Sequence, residues 1–233
     1  MGHCLKAGLI LVISLSACGG NDAPAGPTTI HYEGRVISAR SRVGVPNAEV
    51  HIGPIIVLGP PGKGDEFVTT TTDADGNFAA TIVYSVCEGF VLSIEHPGYL
   101  PAAPFPDVCP GSPRTIEVDP RPTSSLITPQ DPTVMAGGAV GFHVAVTFFD
   151  GSVEDDGVAA WAVAPSTELG DTSVCGTIPN GDPVQGTTYT APAVPPPAEC
   201  GPLAGQTAVV AVPVVRASYA IEASDTVAVT VTP

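Results

Sequence analysis

The stretch Thr72-Asp73-Ala74-Asp75-Gly76-Asn77-Phe78 decides how the first half of the chain folds, because strand patterns flank it on both sides. Residues 67–71 before it are rich in Val and Thr, and residues 78–84 after it alternate apolar and polar side chains. Asp, Gly and Asn are the residues that tight turns favour. The stretch therefore predicts a β-hairpin, with residues 73–77 as its turn.

The composition extends this β pattern to the whole chain. The 233 residues include 26 Gly and 26 Pro, spread between short runs of β-branched residues. After residue 20 no apolar repeat of helical period is sustained, so we expect essentially no helix in the mature chain. The length allows two domains of roughly 100 residues each. The sequence therefore predicts an all-β protein with two β-sandwich domains in tandem after a cleaved signal peptide.

The charge of the chain restricts its partners. The formal net charge is -15 at pH 7, with 23 Asp and Glu against 8 Lys and Arg. A nucleic-acid backbone or an anionic lipid surface would be repelled by such a protein, so we expect no nucleic-acid partner. Solubility of an exported protein is the simplest explanation of the acidity.

The N-terminus carries an export signal. Lys6 precedes a short apolar run, Ala7 to Leu15, which is shorter than the roughly 20 residues of a membrane span. The run ends in Leu15-Ser16-Ala17-Cys18, which resembles the bacterial lipobox. The resemblance implies that residues 1–17 are a lipoprotein signal peptide and that Cys18 becomes the lipidated first residue. Acyl chains on Cys18 would then anchor the protein, with residues 18–27 as a tether. Gly19 after the cysteine favours the outer membrane if the source is Gram-negative, with the protein facing the periplasm or the cell surface.

Four cysteines remain once Cys4 leaves with the signal and Cys18 takes lipid. An even number in an exported chain implies disulfides, and four cysteines allow three connectivities. The economical pairing joins Cys87 to Cys109 and Cys175 to Cys200, because each pair lies in one half of the chain. No C-x-x-C or Cys/His spacing typical of a zinc site occurs.

The order of turns and strands in residues 28–122 is similar to a known family. The motifs are Gly34-Arg35-Val36, Val45-Pro46-Asn47-Ala48-Glu49-Val50, the stretch 72–78, Pro97-Gly98-Tyr99 and the strand 115–118. This order resembles the carboxypeptidase regulatory-like domain, a transthyretin-like sandwich of about seven strands. The resemblance implies an accessory module without catalytic residues, close in fold to carbohydrate-binding modules. The insert Gly53 to Asp65 and the cysteine-bearing segment up to Cys109 depart from the family pattern. They are the candidates for added binding loops, with a mobile surface loop as the competing interpretation.

Residues 123–233 carry the pattern of a second domain. Apolar residues alternate from Val140 to Phe148, an Asp-Gly-Ser turn follows at 150–152, and a lone Trp161 comes next. Together with Gly186-Thr-Thr-Tyr-Thr-Ala-Pro and a Val-Thr-Val end, this pattern resembles bacterial immunoglobulin-like domains. We expect Trp161 to lie in the core between the two sheets.

Acidic side chains cluster in the loop that precedes the Trp161 strand. They are Asp150, Glu154, Asp155 and Asp156. Calcium binding needs several oxygen ligands that converge from such a loop. A solvated acidic loop is the competing interpretation, and the sequence leaves calcium binding by Asp150 to Asp156 open.

No catalytic motif is visible. The chain has no His-Glu-x-x-His, no Gly-x-Ser-x-Gly, and no Cys free for catalysis. We therefore expect no enzyme, no cofactor and no metal site. The leading hypothesis is a non-catalytic, lipid-anchored cell-envelope protein that acts as a structural or adhesive module, with an envelope protein or polysaccharide as partner. The alternative is a carbohydrate-binding surface lipoprotein that presents glycans to partner enzymes or a transporter. The short Pro120-Arg121-Pro122 linker predicts limited interdomain motion, and the oligomeric state is left undetermined.

Overall fold

A computed structural model describes residues 28–54, 68–84, 90–107, 114–163, 174–179, 183–216 and 218–233. The described residues contain strands and two short 3-10 turns but no α-helix, and no helix among them could span a membrane. The predicted signal peptide and tether lie outside the described residues. The strands are β1 Thr28–Ser38, β2 Glu49–Pro54, β3 Val68–Thr71, β4 Asn77–Tyr84, β5 Phe90–Glu95, β6 Ala102–Asp107, β7 Arg114–Val118, β8 Pro122–Thr128, β9 Thr133–Met135, β10 Ala139–Phe148, β11 Val153–Glu154, β12 Ala159–Val163, β13 Thr187–Thr190, β14 Gln206–Val215, β15 Ser218–Tyr219 and β16 Asp225–Thr232.

The first seven strands form two sheets, which we call the first sandwich. One sheet has the order β4-β1-β7 and the other the order β3-β2-β5-β6. Strand β1 is antiparallel to β4 and parallel to β7. Every second residue of these strands points inward, because side chains alternate across a strand. The core that results is a single cluster that includes Tyr32, Val36, Val50, Ile52, Phe78, Ile82, Leu92, Ile94, Ile116 and Val118.

The predicted hairpin at residues 72–78 is wrong in its pairing. Strand β3 lies in the sheet of β2, whereas β4 lies in the sheet of β1, so the two strands do not pair with each other. The turn chemistry itself is as expected: Asp73 Oδ1 accepts the amide protons of Asp75 and Asn77, at 2.9 and 2.8 Å. The turn therefore leads the chain from one sheet to the other.

Contacts on both sides of the turn explain why it crosses between sheets. The side chain of Thr72 is buried and donates to the carbonyl of Val45 at 2.6 Å, while it accepts the amide of Ala48 at 2.8 Å. Four residues later, the carbonyl of Gly76 accepts the amide of Val36 from β1 at 2.8 Å. The two ends of the turn are thus bound to different parts of the chain.

The remaining strands form the second sandwich. One sheet has the order β11-β10-β13 with β8 also on β10, and the other has the order β12-β14-β16-β9 with β15 on β14. Strands β10 and β11 pair antiparallel around residues 149–152, so the Asp-Gly-Ser turn is a hairpin turn as predicted. The alternation in β10 is also confirmed, since Phe142, Val144, Val146 and Phe148 are all buried.

Two further features complete the core of the second sandwich. A disulfide joins Cys175 to Cys200 with 5.3 Å between their Cα atoms, as the spacing argument predicted. Trp161 is partly buried, packs against this core and stacks on Phe142 with 6.4 Å between the ring centroids. The all-β fold class with two sandwiches is confirmed, and each sheet takes all its strands from one side of the segment 119–121.

Candidate functional site: the joint between the sandwiches

The side chains that the two sandwiches use to contact each other form a cluster of polar and aromatic groups. We call this region the joint; it comprises residues 38–42, 96–100, 119–121 and 148–154. Strand β1 delivers the first of these segments and the β10–β11 hairpin delivers the last. The joint thus forms where three turns and the linker meet.

Asp150 is the centre of the polar part of the joint. Its Oδ2 accepts the hydroxyl proton of Ser38 at 2.5 Å and the amide proton of Ser41 at 3.2 Å, both across the joint. Its Oδ1 accepts the amide and hydroxyl protons of Ser152 at 3.1 and 2.6 Å within its own hairpin. A carboxylate that accepts four hydrogen bonds binds its donors strongly and favours one orientation of the β10–β11 hairpin relative to the first sandwich.

The ionisation of Asp150 reflects these contacts. Partial burial by itself would raise the pKa of Asp150, but the hydrogen bonds from Ser152, Ser38 and Ser41 outweigh it and lower the pKa from 3.8 to about 2. Asp150 therefore stays charged over the whole range of ordinary pH. The contact with the fully buried Ser38 persists over the same range.

Arg40 adds a second cross-joint contact. Its guanidinium lies 3.6 Å from the centroid of the Phe148 ring, and its Nη1 lies 2.9 Å from Glu154 Oε2. A guanidinium over an aromatic face is attracted by the quadrupole of the ring. One side chain of the first sandwich is thus held by two residues of the second.

Three rings form the apolar part of the joint. His96 and Tyr99 each meet the ring of Phe149 edge to face, with centroids 5.6 and 5.8 Å apart. Gly98 lies directly against Phe149, because a Cβ at this position would fall 2.2 Å from its ring. The Gly in Pro97-Gly98-Tyr99 is therefore required by the close approach of the second sandwich.

Burial in this ring cluster shifts the pKa values of His96 and Tyr99 so that the uncharged form of each side chain is favoured. Burial lowers the pKa of His96. Burial and the charge of Asp150 raise the pKa of Tyr99, although a hydrogen bond with Ser38 opposes the change. His96 Nδ1 also accepts the amide proton of Gly98 at 3.0 Å, which requires this nitrogen to be unprotonated.

The linker is bound into the joint by its backbone. The amide of Arg121 donates to the carbonyl of Gly98 at 2.9 Å, and the carbonyl of Arg121 accepts the amide of Phe149 at 2.9 Å. The side chain of Arg121 donates through Nε to the carbonyl of Tyr99 at 3.0 Å. Asp119 contacts Arg216 from the second sandwich. The segment 119–121 is therefore bonded on both sides.

The acidic loop predicted from the sequence divides into two parts: Asp155 and Asp156 are exposed, as a solvated loop requires, whereas Asp150 and Glu154 are partly buried. Asp150 and Glu154 contact the first sandwich, and Asp156 lies 3.1 Å from His143 Nδ1 within the second. Among the described residues no group of three or more His, Cys, Asp or Glu is placed to hold a metal ion. The interpretation as a solvated loop is wrong for Asp150, which is half-buried and fully bonded.

Several predicted site residues lie outside the described part of the chain. They include Cys18, Cys87 and Cys109. The insert Gly53 to Asp65 also lies outside it, except for its first two residues, which end β2. A groove of about 740 Å³ on the first sandwich is lined by Arg35, Asp73 and Asn77, among others. The aromatic ring in that lining, Phe78, is 5% exposed. The described lining therefore offers no exposed ring on which a sugar could stack.

The sequence did not identify the joint residues Ser38, Arg40, His96 and Phe149. Their contacts join positions far apart in the chain, such as Ser38 and Asp150, which are separated by 112 residues. A pattern of local turns carries no information about such pairs. The one available signal was the Pro-Gly-Tyr motif, whose small residue marks a place where another segment approaches closely.

No family model and no curated protein matches this chain. Solved structures that are similar include the major pilin subunit BcpA of Bacillus cereus, at 9% identity over 88% of this chain and 69% of that chain, with a TM-score of 0.41. The full-length major pilin SpaD from Corynebacterium diphtheriae is 8% identical over 86% of this chain and 65% of that chain, with a TM-score of 0.37. The C-terminal domain of shaft pilin SpaA from Lactobacillus rhamnosus GG is 15% identical over 40% of this chain and 98% of that chain, with a TM-score of 0.30. At these values the fold class rests on the strand pairing itself, and no functional argument rests on the similarity.

Proposed function

We propose that this protein is a non-catalytic, lipid-anchored component of a cell envelope that acts as a structural or adhesive stalk. The observation that carries the proposal is the joint, in which hydrogen bonds, an ion pair and ring contacts bind the two sandwiches to each other. A stalk must transmit position and force from one end to the other. A bonded joint serves that need, whereas a free linker would not.

The direction of the strands supports a stalk with two distinct ends. Strand β1 runs from Thr28 to Ser38 at the joint, so the residue nearest the proposed lipid on Cys18 lies at the far end of the first sandwich. Strand β10 starts at Ala139 and reaches the joint at Phe148. At roughly 3.3 Å per residue, each of these strands spans roughly 35 Å. The start of β1, from which the proposed tether would leave, and the far end of the second sandwich are therefore on opposite sides of the joint.

The anchor is tested by cell fractionation of Cys18→Ser, with Cys4→Ser as the matched control. Cys4 lies in the proposed signal peptide, so its substitution is expected to leave the protein in the membrane fraction. Cys18→Ser is expected to move it to the soluble fraction, because lipid can no longer be attached. Membrane retention of Cys18→Ser would overturn the lipid anchor.

The stalk is tested by the distance between the two sandwiches in solution. Spin labels introduced as unnatural amino acids at Thr81 and Thr188, both on exposed strand faces, report this distance by pulsed electron resonance. We expect one narrow distance distribution. Two separate populations, or one broad distribution, would contradict a stiff stalk.

A further inference from the structure

The second sandwich carries a run of three prolines at its end away from the joint. Residues 194–197, Val194-Pro195-Pro196-Pro197, form the segment that we call the proline ridge. Proline fixes φ near -65°, and each residue before a proline is restricted to extended ψ values. Pro197 has φ -67° and ψ 167°. The restrictions on Pro195 and Pro196 and the observed angles of Pro197 therefore fit a short polyproline II segment over the three prolines.

Bonds to several other segments hold the ridge in this shape. The carbonyl of Pro196 accepts the amide of Gly205 at 2.9 Å, and that of Pro197 accepts the amide of Cys200 at 3.1 Å. Pro196 is buried, and Cys200 is fixed by its disulfide to Cys175. A segment that is ordered before it binds loses little conformational entropy on binding.

The outward surface of the ridge is apolar. Val194 is 69% exposed, and Pro195 and Pro197 are exposed beside it. Backbone hydrogen bonds connect residues in or next to the ridge to two other segments. One of these segments exposes Met135, at 69%, and the other exposes Leu203, at 65%. An ordered segment that exposes apolar side chains, on a protein of net charge -15, is a candidate interaction site.

We propose that the proline ridge docks into a groove lined by aromatic side chains on a partner protein. A polyproline II helix presents flat proline rings that stack on Trp and Tyr. In the ridge the carbonyls of Pro196 and Pro197 are already bonded, so the exposed rings of Pro195 and Pro197 and the side chain of Val194 make this contact. This inference rests on the proposed structural and adhesive function and specifies its partner. It assigns the contact to the tip, at the other end of the second sandwich from the joint.

Two other occupants fit the ridge less well. The segment 191–205 contains one charged residue, Glu199, and no Lys or Arg, so an anionic membrane surface would gain nothing electrostatically from it. A second copy of this chain would need an aromatic groove to receive the ridge. The exposed ring that the described residues provide, Phe149, lies at the joint rather than near the ridge.

The test is photo-crosslinking in cells that produce the full chain, with a benzophenone amino acid at Val194. The same amino acid at Ile221, which is 72% exposed elsewhere on the second sandwich, is the matched control. We expect an adduct with one protein from position 194 and none with that protein from position 221. The crosslinked peptide of the partner is expected to contain Trp, Tyr or Phe.

A ridge variant and a competitor make the test specific. Pro195→Ala combined with Pro197→Ala leaves the buried Pro196 in place and is expected to lower the adduct yield by roughly tenfold or more, as when an interface anchor is truncated. An added proline decapeptide is expected to lower it too. Thermal unfolding and intact disulfide in the double variant show that the fold is retained.

The inference is overturned by any of four results: no adduct at 194, an adduct with lipid or with a second copy of the chain, a partner peptide without aromatic residues, or a yield that the double variant leaves unchanged. These failures are distinct from failure of the proposed anchor. Cys18→Ser that stays in the membrane would overturn the anchor, whatever position 194 crosslinks to.

Discussion

Two Asp-Gly turns in this protein have similar sequences and opposite structural roles. The turn at residues 73–77 joins strands of different sheets, whereas the turn at 150–152 joins the paired strands β10 and β11. Asp73 and Asp150 both accept the amide two residues later, at 2.9 and 3.1 Å. Local turn chemistry is thus shared. The partners outside the turn, Val36 for the first and Ser38 for the second, decide what each turn does.

The largest expected contrast between the turns is at their glycines. Gly76 has φ +82°, and a Cβ there would fall 2.2 Å from the carbonyl oxygen of Val36; Gly151 has φ +79° with open space around it. Gly76→Ala is expected to lower the free energy of unfolding by about 3 kcal/mol or more, from strain and collision together. Gly151→Ala carries the backbone strain alone and is expected to cost about 1 kcal/mol.

Urea denaturation of the two glycine variants measures this difference. The midpoint is expected to fall much further for Gly76→Ala than for Gly151→Ala, with an unchanged slope for the affected transition. Equal losses would mean that the first turn is not packed against β1. That packing would then not explain why β3 and β4 do not pair as a hairpin.

The second contrast lies within the crossing turn. Thr72 is buried and bonds to Val45 and Ala48, whereas Thr70 makes one longer bond of 3.2 Å to the carbonyl of Ala79 at the surface. Thr72→Val keeps the shape but leaves two buried backbone groups without partners, so we expect a loss of about 2 to 3 kcal/mol. Thr70→Val is expected to change the free energy of unfolding by less than about 0.5 kcal/mol. A comparable loss in both would contradict the role of Thr72.

The sequence predicted the elements of this fold better than their partners. Inward positions such as Tyr32, Val50 and Phe142 followed from period-two alternation, because burial of one face repeats along a strand. The pairing of β4 with β1 rather than β3 did not follow. It depends on Thr72 and Gly76 contacting residues 27 to 40 positions away, and turn residues do not encode those contacts.

The same limit applies to the joint. The sequence indicated an acidic loop at Asp150 to Asp156 and a stiff linker at Pro120-Arg121-Pro122, but not the surface against which they lie. Ser38 ends β1 and Arg40 lies in the turn after it, and only the fold brings them to Asp150 and Phe148. The residue types predicted that an acidic loop and a stiff linker are present. Tertiary packing decided which residues of the first sandwich they contact.

A third contrast concerns pH at the two aspartates. The pKa of Asp150, about 2 in the folded protein, lies below its ordinary value of 3.8. Between these values the unfolded chain binds more protons, so stability rises with pH there. The stabilisation is complete above about pH 4 and is lost as the pH falls through about 2. Asp150→Asn is expected to cost roughly 1 kcal/mol at pH 7, after allowance for solvent screening, and close to nothing below about pH 2.

Asp73→Asn is the control for the effect of Asp150 on the joint. Hydrogen bonds from Asn77 lower the pKa of Asp73, but this carboxylate is exposed and the hydrogen bonds that it accepts from Asp75 and Asn77 stay within its own turn. Spin-label distances between the sandwiches are expected to broaden in Asp150→Asn and to stay unchanged in Asp73→Asn. A pH-independent difference between wild type and Asp150→Asn would show that the charge of Asp150 is not what stabilises the joint.

The smallest expected effect separates two neighbouring arginines. Arg40 contacts Phe148 and Glu154 across the joint, whereas Arg42 pairs at 2.5 Å with Glu117 on its own sandwich, where both side chains are largely exposed. Arg40→Ala is expected to lower the free energy of unfolding by about 0.5 to 1 kcal/mol, the size of a partly exposed ion pair with a cation–π contact, and to broaden the distance distribution between the sandwiches. Arg42→Ala is expected to leave that distribution as it is, because its partner lies on the same side. If both variants broadened it equally, the joint would depend on the turn after β1 as a whole rather than on the reach of Arg40.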